Sequence, residues 1–209
     1  MVKKLKLNLI RNKFKNEGIF IFTPFSLQRH FDVALNTANL FLTRNVKQKN
    51  IIKLKNGLYS FAGEYINEAF IANKIYEPSY VSMEYAMMYY HIIPEAVYYV
   101  TSVTTKTTRE FVINNIAYSY SRIKKSAFNG YVKKYFDGQM ALIAESEKAL
   151  ADWLYFVSIG KKSMNDRLDL KNINKKKLIK YCKLFKRKNL INLIEIVYDE
   201  DRRNPKIIY

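Results

Sequence analysis

Apolar positions in the first 65 residues recur every three or four places and then every second place. These are the spacings of a helix face and of a strand face. In KLNLIRNKFKNE (6–17), Leu7, Ile10 and Phe14 share one helical stripe, and Gly18 ends it. IFIF is a short apolar link. TPFSLQRHFD opens with Thr23 as N-cap and Pro24 at the first helical position, where a fixed φ and a missing N–H cost nothing. A turn near Val33–Leu35 leads to NTANLFLTRNVKQ, with Asn36 or Thr37 as cap and Ala38, Leu42 and Val46 as its apolar stripe. In IIKLKNGLYSF the period becomes two on either side of Asn56-Gly57, the dipeptide that most favours a tight hairpin because both positions tolerate positive φ. A two-residue loop pairs Lys55 with Leu58, Leu54 with Tyr59, Lys53 with Ser60 and Ile52 with Phe61. One face of the ribbon is then Ile52, Leu54, Tyr59 and Phe61, and the other is Lys53, Lys55, Leu58 and Ser60.

Three helices and a hairpin in this order predict a winged helix-turn-helix over residues 1–64, with the apolar face of the ribbon on the helices. In that arrangement the third helix enters the major groove of duplex DNA. With its apolar stripe turned inward, its outward residues are Asn36, Thr37, Asn39, Leu40, Thr43, Arg44 and Lys47. Asn and Arg can bond bidentately to adenine and guanine edges, and Thr can touch a thymine methyl. Lys53 and Lys55 on the wing, with Lys3 and Lys4 at the N-terminus, would contact phosphate, which positions a domain without reading sequence. The alternative for the same fold is a protein-docking module.

Residues 65–209 predict a mixed α/β domain, so the whole is α+β. NEAFIANKIY reads as helix, EPSYVS as a break, and MEYAMMYYHII as a helix capped by Ser79 or Ser82. Strands follow in VYYVTSVT (97–104), in REFVI and IAYSYSRI joined by Asn114-Asn115, and in YVKKYF and QMALIA joined by Asp137-Gly138. ESEKALADWLYFVS is an amphipathic helix with Ala149, Trp153 and Phe156 on one side. Beyond Gly160 a basic helical extension (160–209) contains NKKKLIKYCKLFKRKN, with Leu178, Cys182 and Phe185 inward, and LINLIEIVY. No Pro/Gly-rich linker separates the parts, and the boundary falls near Gly63.

Charge sharpens this division. The chain carries a net +18, a field that favours polyanions. Residues 1–65 hold twelve Lys or Arg against three Asp or Glu, residues 66–158 nine against nine, and residues 159–209 fifteen against six. Codon bias towards Asn, Ile and Tyr would not leave the middle neutral, so the distribution points to a nucleic-acid surface at one or both ends. The single cysteine, Cys182, rules out an intramolecular disulfide and fits a reducing compartment. No apolar run approaches the ~18 residues of a spanning helix, and the basic N-terminus lacks a signal peptide's apolar core. The expected location is cytoplasmic.

No catalytic constellation is visible. His30 and His91 lack partners at metal-ligand spacing; the first reads as a surface or phosphate-facing residue, the second as a helix-end residue. Cys182 reads as a small buried apolar residue. IGKKS (159–163) resembles a phosphate loop, but Tyr155 stands where its first glycine is required and Lys162 where Ser or Thr is required. Glu145 and Glu147 open a helix, where carboxylates suit the dipole. Tyr89, Tyr90, Tyr98, Tyr99, Tyr118 and Tyr120 are either base-stacking residues or tyrosines half-buried in a small sheet, and the charge-balanced middle also suits a protein-contact surface.

IIKLKNGLYSFA, then IANKIYEPSYVSMEYAMMYYHIIPEAVYYVTSVTT, and later IAESEKALADWLYF resemble the AbiEi-type antitoxins of abortive-infection toxin–antitoxin systems, which serve phage defence. The resemblance runs from about Gly18 to Phe156 and is most specific over Ile71–Thr105. It implies a winged-helix transcriptional regulator that represses its own operon at inverted repeats of operator DNA. It also implies a C-terminal domain that helps neutralise a nucleotidyltransferase toxin, by direct contact or by functional antagonism. Asn36–Lys47 matches the family's recognition helix and Lys53–Lys55 its wing. Ser79, Tyr80, Ser82, Thr101, Ser102, Thr104 and Thr105 match its C-terminal signature. The expectation is a DNA-binding antitoxin and autorepressor with no cofactor, no metal and no catalysis of its own, a monomer or weak dimer in solution that pairs on DNA. The alternative is a stand-alone winged-helix repressor whose C-terminal domain senses a ligand or dimerises.

Overall fold

The structure, a computed structural model, describes residues 5–203. The chain divides into two compact units, Met1–Asn67 with Phe136–Gln139, and Glu68–Tyr135 with Met140–Tyr209. Together they form an α+β protein with two sheets.

The first unit contains helices α1 (Leu7–Asn16), α2 (Pro24–Phe31) and α3 (Leu35–Lys47) and strands β1 (Ile21–Phe22), β2 (Ile51–Lys55) and β3 (Leu58–Phe61). The strands form an antiparallel sheet in the order β1-β3-β2. Its core is Ile10, Phe14, Phe22, Leu27, Val33, Ala38, Leu42, Ile51 and Phe61. The stripes of α1 and α3 are therefore the buried ones, and each large side chain so buried contributes about 1.5–3 kcal/mol. The rings of Phe14, Phe22 and Phe61 meet at 4.8 to 6.4 Å between centroids. α2 begins with a capping box: the Ser26 N–H donates to Thr23 Oγ1 and the Thr23 N–H to Ser26 Oγ, with Pro24 at the first helical position.

Two expectations for this unit are corrected. Neither Asn36 nor Thr37 caps α3. The helix starts earlier, at Leu35, with Ala34 as an N-cap that offers no side-chain bond. The hairpin register also differs. Of the two turn residues only Gly57 takes a positive φ, +76°, so the turn lacks the twist that two positive φ values supply, and the ribbon compensates with a bulge at Leu54. Lys55 still pairs with Leu58, but Lys53 pairs with Tyr59, Ile52 with Ser60 and Ile51 with Phe61. Ile51, rather than Ile52, joins Phe61 in the core.

The second unit contains α4 (Glu68–Ile75), α5 (Met83–Tyr89), α6 (Ser146–Ser158), α7 (Lys175–Lys183) and α8 (Lys188–Arg203) around a six-stranded sheet. Its strands are β4 (Ser79–Val81), β5 (Val100–Thr104), β6 (Arg109–Ile113), β7 (Ile116–Arg122), β8 (Tyr131–Phe136) and β9 (Gln139–Ala144), in the order β6-β7-β5-β4-β9-β8. β5 runs parallel to β7 and β4 parallel to β9, while β4–β5 and β6–β7 are antiparallel. Asn114-Asn115 and Asp137-Gly138 both take positive φ at the two turn positions, as two-residue hairpins require.

Here too the sequence reading needs correction. EPSYVS is not a break: Ser79–Val81 is a fully buried inner strand that follows a cis Glu77–Pro78 bond. Neither candidate serine bonds the start of α5. Ser79 lies in β4, and Ser82, though at the N-cap position, spends its hydroxyl on Asp152. VYYVTSVT is strand only from Val100. α6 is buried on nearly all sides, not amphipathic, because it packs against α5, α7 and α8 together. The basic run 174–189 is two helices, α7 and α8, with Lys186 at positive φ between them. Leu178, Cys182 and Phe185 do face inward.

Candidate nucleic-acid interface

The geometry of α3 follows from what holds it. Ala38 and Leu42 are buried in the core and Val46 packs against it, so the opposite positions are driven out. Asn36, Asn39, Leu40, Thr43, Arg44 and Lys47 are exposed, Leu40 by 60%, and Thr37 is half-buried. On the ribbon Lys53 is exposed and Lys55 half-buried. Arg44, Lys47 and Lys53 make no ion pair or side-chain hydrogen bond among the described residues. Lys3 and Lys4 lie outside the described residues.

The helix end that carries this face is fixed by backbone bonds. The Lys49 N–H donates to Val46 O and the Asn50 N–H to Asn45 O, with Lys49 at φ +60°. This is a Schellman cap with lysine where glycine is usual. Asn45 is buried and belongs to the scaffold rather than the face. Its amide donates to Phe41 O at 2.9 Å, and its oxygen accepts from the Asn50 amide at 3.3 Å. Its spacing, seven residues after Ala38 and three after Leu42, puts it on the buried face, and only its polar side chain hid this. Arg29 on α2 adds a further exposed cation, unremarked in the sequence.

His30 is half-buried and faces a carboxylate. Its Nδ1 lies 3.0 Å from a Glu17 carboxylate oxygen and its ring stands edge-on to Phe14 at 5.2 Å. The nearby Lys13 ammonium donates to His30 O at 3.0 Å. Arg11 is likewise internal: it donates to Ala62 O at 3.1 Å and its guanidinium lies over Phe61. Among the described residues the exposed cations of this unit without an ion pair or side-chain hydrogen bond are Arg29 on α2, Arg44 and Lys47 on α3, Lys53 on the ribbon, and Lys6, Lys15 and Lys49 outside that face.

In the second unit six of the seven residues matched to a C-terminal signature are interior, and Thr105 is half-buried. Ser79, Tyr80, Ser82, Thr101, Ser102 and Thr104 are all buried. Thr101 Oγ1 donates to Ser82 O at 2.5 Å and accepts from the Tyr85 N–H at 3.0 Å, and Thr104 Oγ1 donates to Pro78 O at 2.7 Å. Tyr80 and Ser82 hydroxyls donate to Asp152 at 3.0 and 2.7 Å, and Asp152 also pairs with Lys148 one helical turn away. Both partners of that ion pair are fully buried. Burial pushes the Asp152 carboxyl above the usual carboxylate range, and Lys148, Ser82 and Tyr80 pull it back only part of the way. The Tyr80 hydroxyl is raised by burial and then by the adjacent Asp152 charge. These groups tie β4, the start of α5 and α6 together. The i,i+4 spacing of Lys148 and Asp152 was the readable signal for the pair; its burial was not readable.

The remaining candidates resolve in the same way. IGKKS is a helix end: Gly160 at φ +71° donates its N–H to Val157 O, and the Lys161 N–H reaches Phe156 O. Lys162 pairs with Glu84. His91 at φ +56° closes α5 with the same bond pattern, its N–H to Met88 O and the Ile92 N–H to Met87 O. Cys182 is buried, and burial pushes its thiol up to about 12. Glu145 and Glu147 do more than face a dipole, since Lys177 of α7 sits 3.2 and 3.1 Å from them. Tyr118 and Tyr120 are buried, with the Tyr120 hydroxyl donating to Ala72 O at 2.5 Å, whereas Tyr98 is 85% exposed. Among the described residues there is no group of three or more His, Cys, Asp or Glu that could hold a metal, and no helix is long and apolar enough to cross a membrane. No protein-family model matches the chain, and no curated protein matches it.

Proposed function

We propose that this chain is a DNA-binding antitoxin and autorepressor whose first unit is a winged helix-turn-helix. α3 lies in the major groove, with Asn36, Asn39 and Arg44 at base edges and Thr43 and Leu40 against apolar base groups. Lys53, Lys55 and Lys47 meet phosphates. The observation that carries the reading is the two-sidedness of α3: one side locked in the core, the other presenting two asparagines, an arginine and a lysine, with no competing ion pair for either cation among the described residues. Repression of its own operon at inverted repeats, and neutralisation of a nucleotidyltransferase toxin, come from the resemblance to AbiEi-type antitoxins. Two copies would meet on DNA, since an inverted repeat imposes two-fold symmetry on whatever reads it.

The test is genetic and biochemical together. The neighbouring reading frame is expressed alone and with this chain, and the purified chain is titrated with the duplex upstream of its own gene. Growth arrest relieved by co-expression, with retention of the upstream duplex over random duplex, is the expected result. Arrest that co-expression leaves untouched removes the antitoxin; equal retention of both duplexes removes the repressor.

A further inference from the structure

The second unit carries two adjoining clefts that the DNA-binding reading does not use. Both are walled by the turn between α4 and β4. The first, of about 260 Å³, is lined by Asn73, Glu77, Ser79, Phe128 and Tyr131 among others. Its aromatic wall is rigid: Tyr131 is stacked on the fully buried Tyr80 at 4.7 Å and 26°, with Phe128 at 5.6 Å, and remains 37% exposed. Ser79 in its lining is buried, and its hydroxyl has no hydrogen-bond partner among the described residues. An unspent buried hydroxyl in a cleft wall is costly without a ligand or water to satisfy it.

The second cleft, of about 340 Å³, is lined by Tyr76, Thr105, Lys106, Thr107 and Arg122. It lies beyond the carboxyl ends of the parallel neighbours β5 and β7, where open sheets place ligand crevices. Lys106 and Arg122 are exposed and have no carboxylate partner among the described residues. Lys106 Nζ rests 5.6 Å from the Tyr76 ring centroid, and the Tyr76 hydroxyl is held by Thr107 O at 2.9 Å. The Thr107 hydroxyl lies 3.1 Å from the Tyr76 hydroxyl, which leaves two cations and the Thr105 hydroxyl, with no acid among them, to suit phosphate oxygens. Tyr76 and Ser79, one from each cleft, are three residues apart, which limits their separation to about 11 Å of extended chain.

We propose that these clefts form one nucleotide site. The base lies against Tyr131 and Phe128 with an edge towards Ser79, and the phosphates lie on Lys106, Arg122 and Thr105. The shared chemistry, a base joined to phosphate, belongs both to free nucleoside triphosphates and to single-stranded nucleic acid, for which an aromatic wall beside cations is the usual recipe.

The full chain is titrated calorimetrically with ATP, GTP, a single-stranded hexanucleotide, adenosine and inorganic pyrophosphate. Tight binding of the triphosphates assigns the site to free nucleotides, and binding of the hexanucleotide alone assigns it to a strand. In either case adenosine binds more weakly, and Lys106→Ala with Arg122→Ala weakens binding about tenfold or more. Tyr131→Ala removes the preference for ATP over pyrophosphate. The idea fails if neither nucleotide nor hexanucleotide binds at millimolar concentration, or if the double variant, folded by its melting curve, binds as well as the parent. Duplex retention by the same double variant separates this site from the α3 surface: retention is unchanged if the two are distinct, and its loss would overturn the separate site.

Discussion

Arg44 and Lys53 differ in what their chemistry can discriminate, although both are exposed cations of the first unit. A guanidinium offers a planar fork that matches the two acceptors of guanine, whereas an ammonium is a point charge that serves any phosphate. Arg44→Ala is therefore expected to cost about 1–3 kcal/mol on the cognate duplex and little on random duplex, while Lys53→Ala weakens both equally. Competition titrations on the two duplexes separate these outcomes; parallel losses for both variants would place the reading helix elsewhere. Asp152 poses a different residue-level problem. It accepts from Tyr80, Ser82 and Lys148, and both it and the lysine are fully buried, so Asp152→Ala strands a buried ammonium and should cost about 3–5 kcal/mol. Adding Lys148→Met to that variant should return part of the loss, as urea midpoints will report. A double variant no more stable than Asp152→Ala would mean the lysine finds another partner.

At the scale of elements, α7 is held to the start of α6 by charge as much as by packing. Burial raises the Glu147 carboxyl, but its own backbone N–H, the Lys177 ammonium and the Asn174 N–H outweigh that and hold it below the ordinary Glu range. A carboxylate depressed in the folded state contributes stability that is complete above the unfolded value, near pH 4.3 for Glu, and lost as pH falls through the lower folded value. Melting temperature followed from pH 6 downward should drop across that window, and Glu147→Gln should flatten the drop; an identical pH profile in the variant would sink the assignment. Much of this layer was legible. Thr23-Pro24, Asn114-Asn115 and Asp137-Gly138 each demand a particular backbone, and each has it. The inward stripe of α3 was legible because its core contacts are local in sequence. β4 was not, since three residues show no period, and its strand character comes from β5 and β9 on either side. Nor was the burial of α6, because Lys148 and Asp152 advertise a solvent face until each is seen to neutralise the other. The bulge at Leu54 escaped for a subtler reason: Asn56-Gly57 named a turn, but not which of its two residues would take the positive φ.

For the whole molecule, the +18 charge sets how binding responds to salt. If α3, the ribbon and their neighbours displace counterions from about six phosphates, log K against log salt should fall with a slope near −5. A slope near zero on duplex DNA would mean that the charge has some other purpose. The large sheet stops at β6 on one border and β8 on the other. The first carries Arg109 and Glu110, the second Lys133 and Lys134, and Arg109, Glu110 and Lys133 are exposed. An unpaired strand invites another chain to continue the ladder, and ionised side chains along it make that continuation costly. A second copy approaching β8 edge to edge would set lysine against lysine, which disfavours self-association through this border. The outermost strand is thereby guarded by charge, a repulsion that a bound polyanion would cancel.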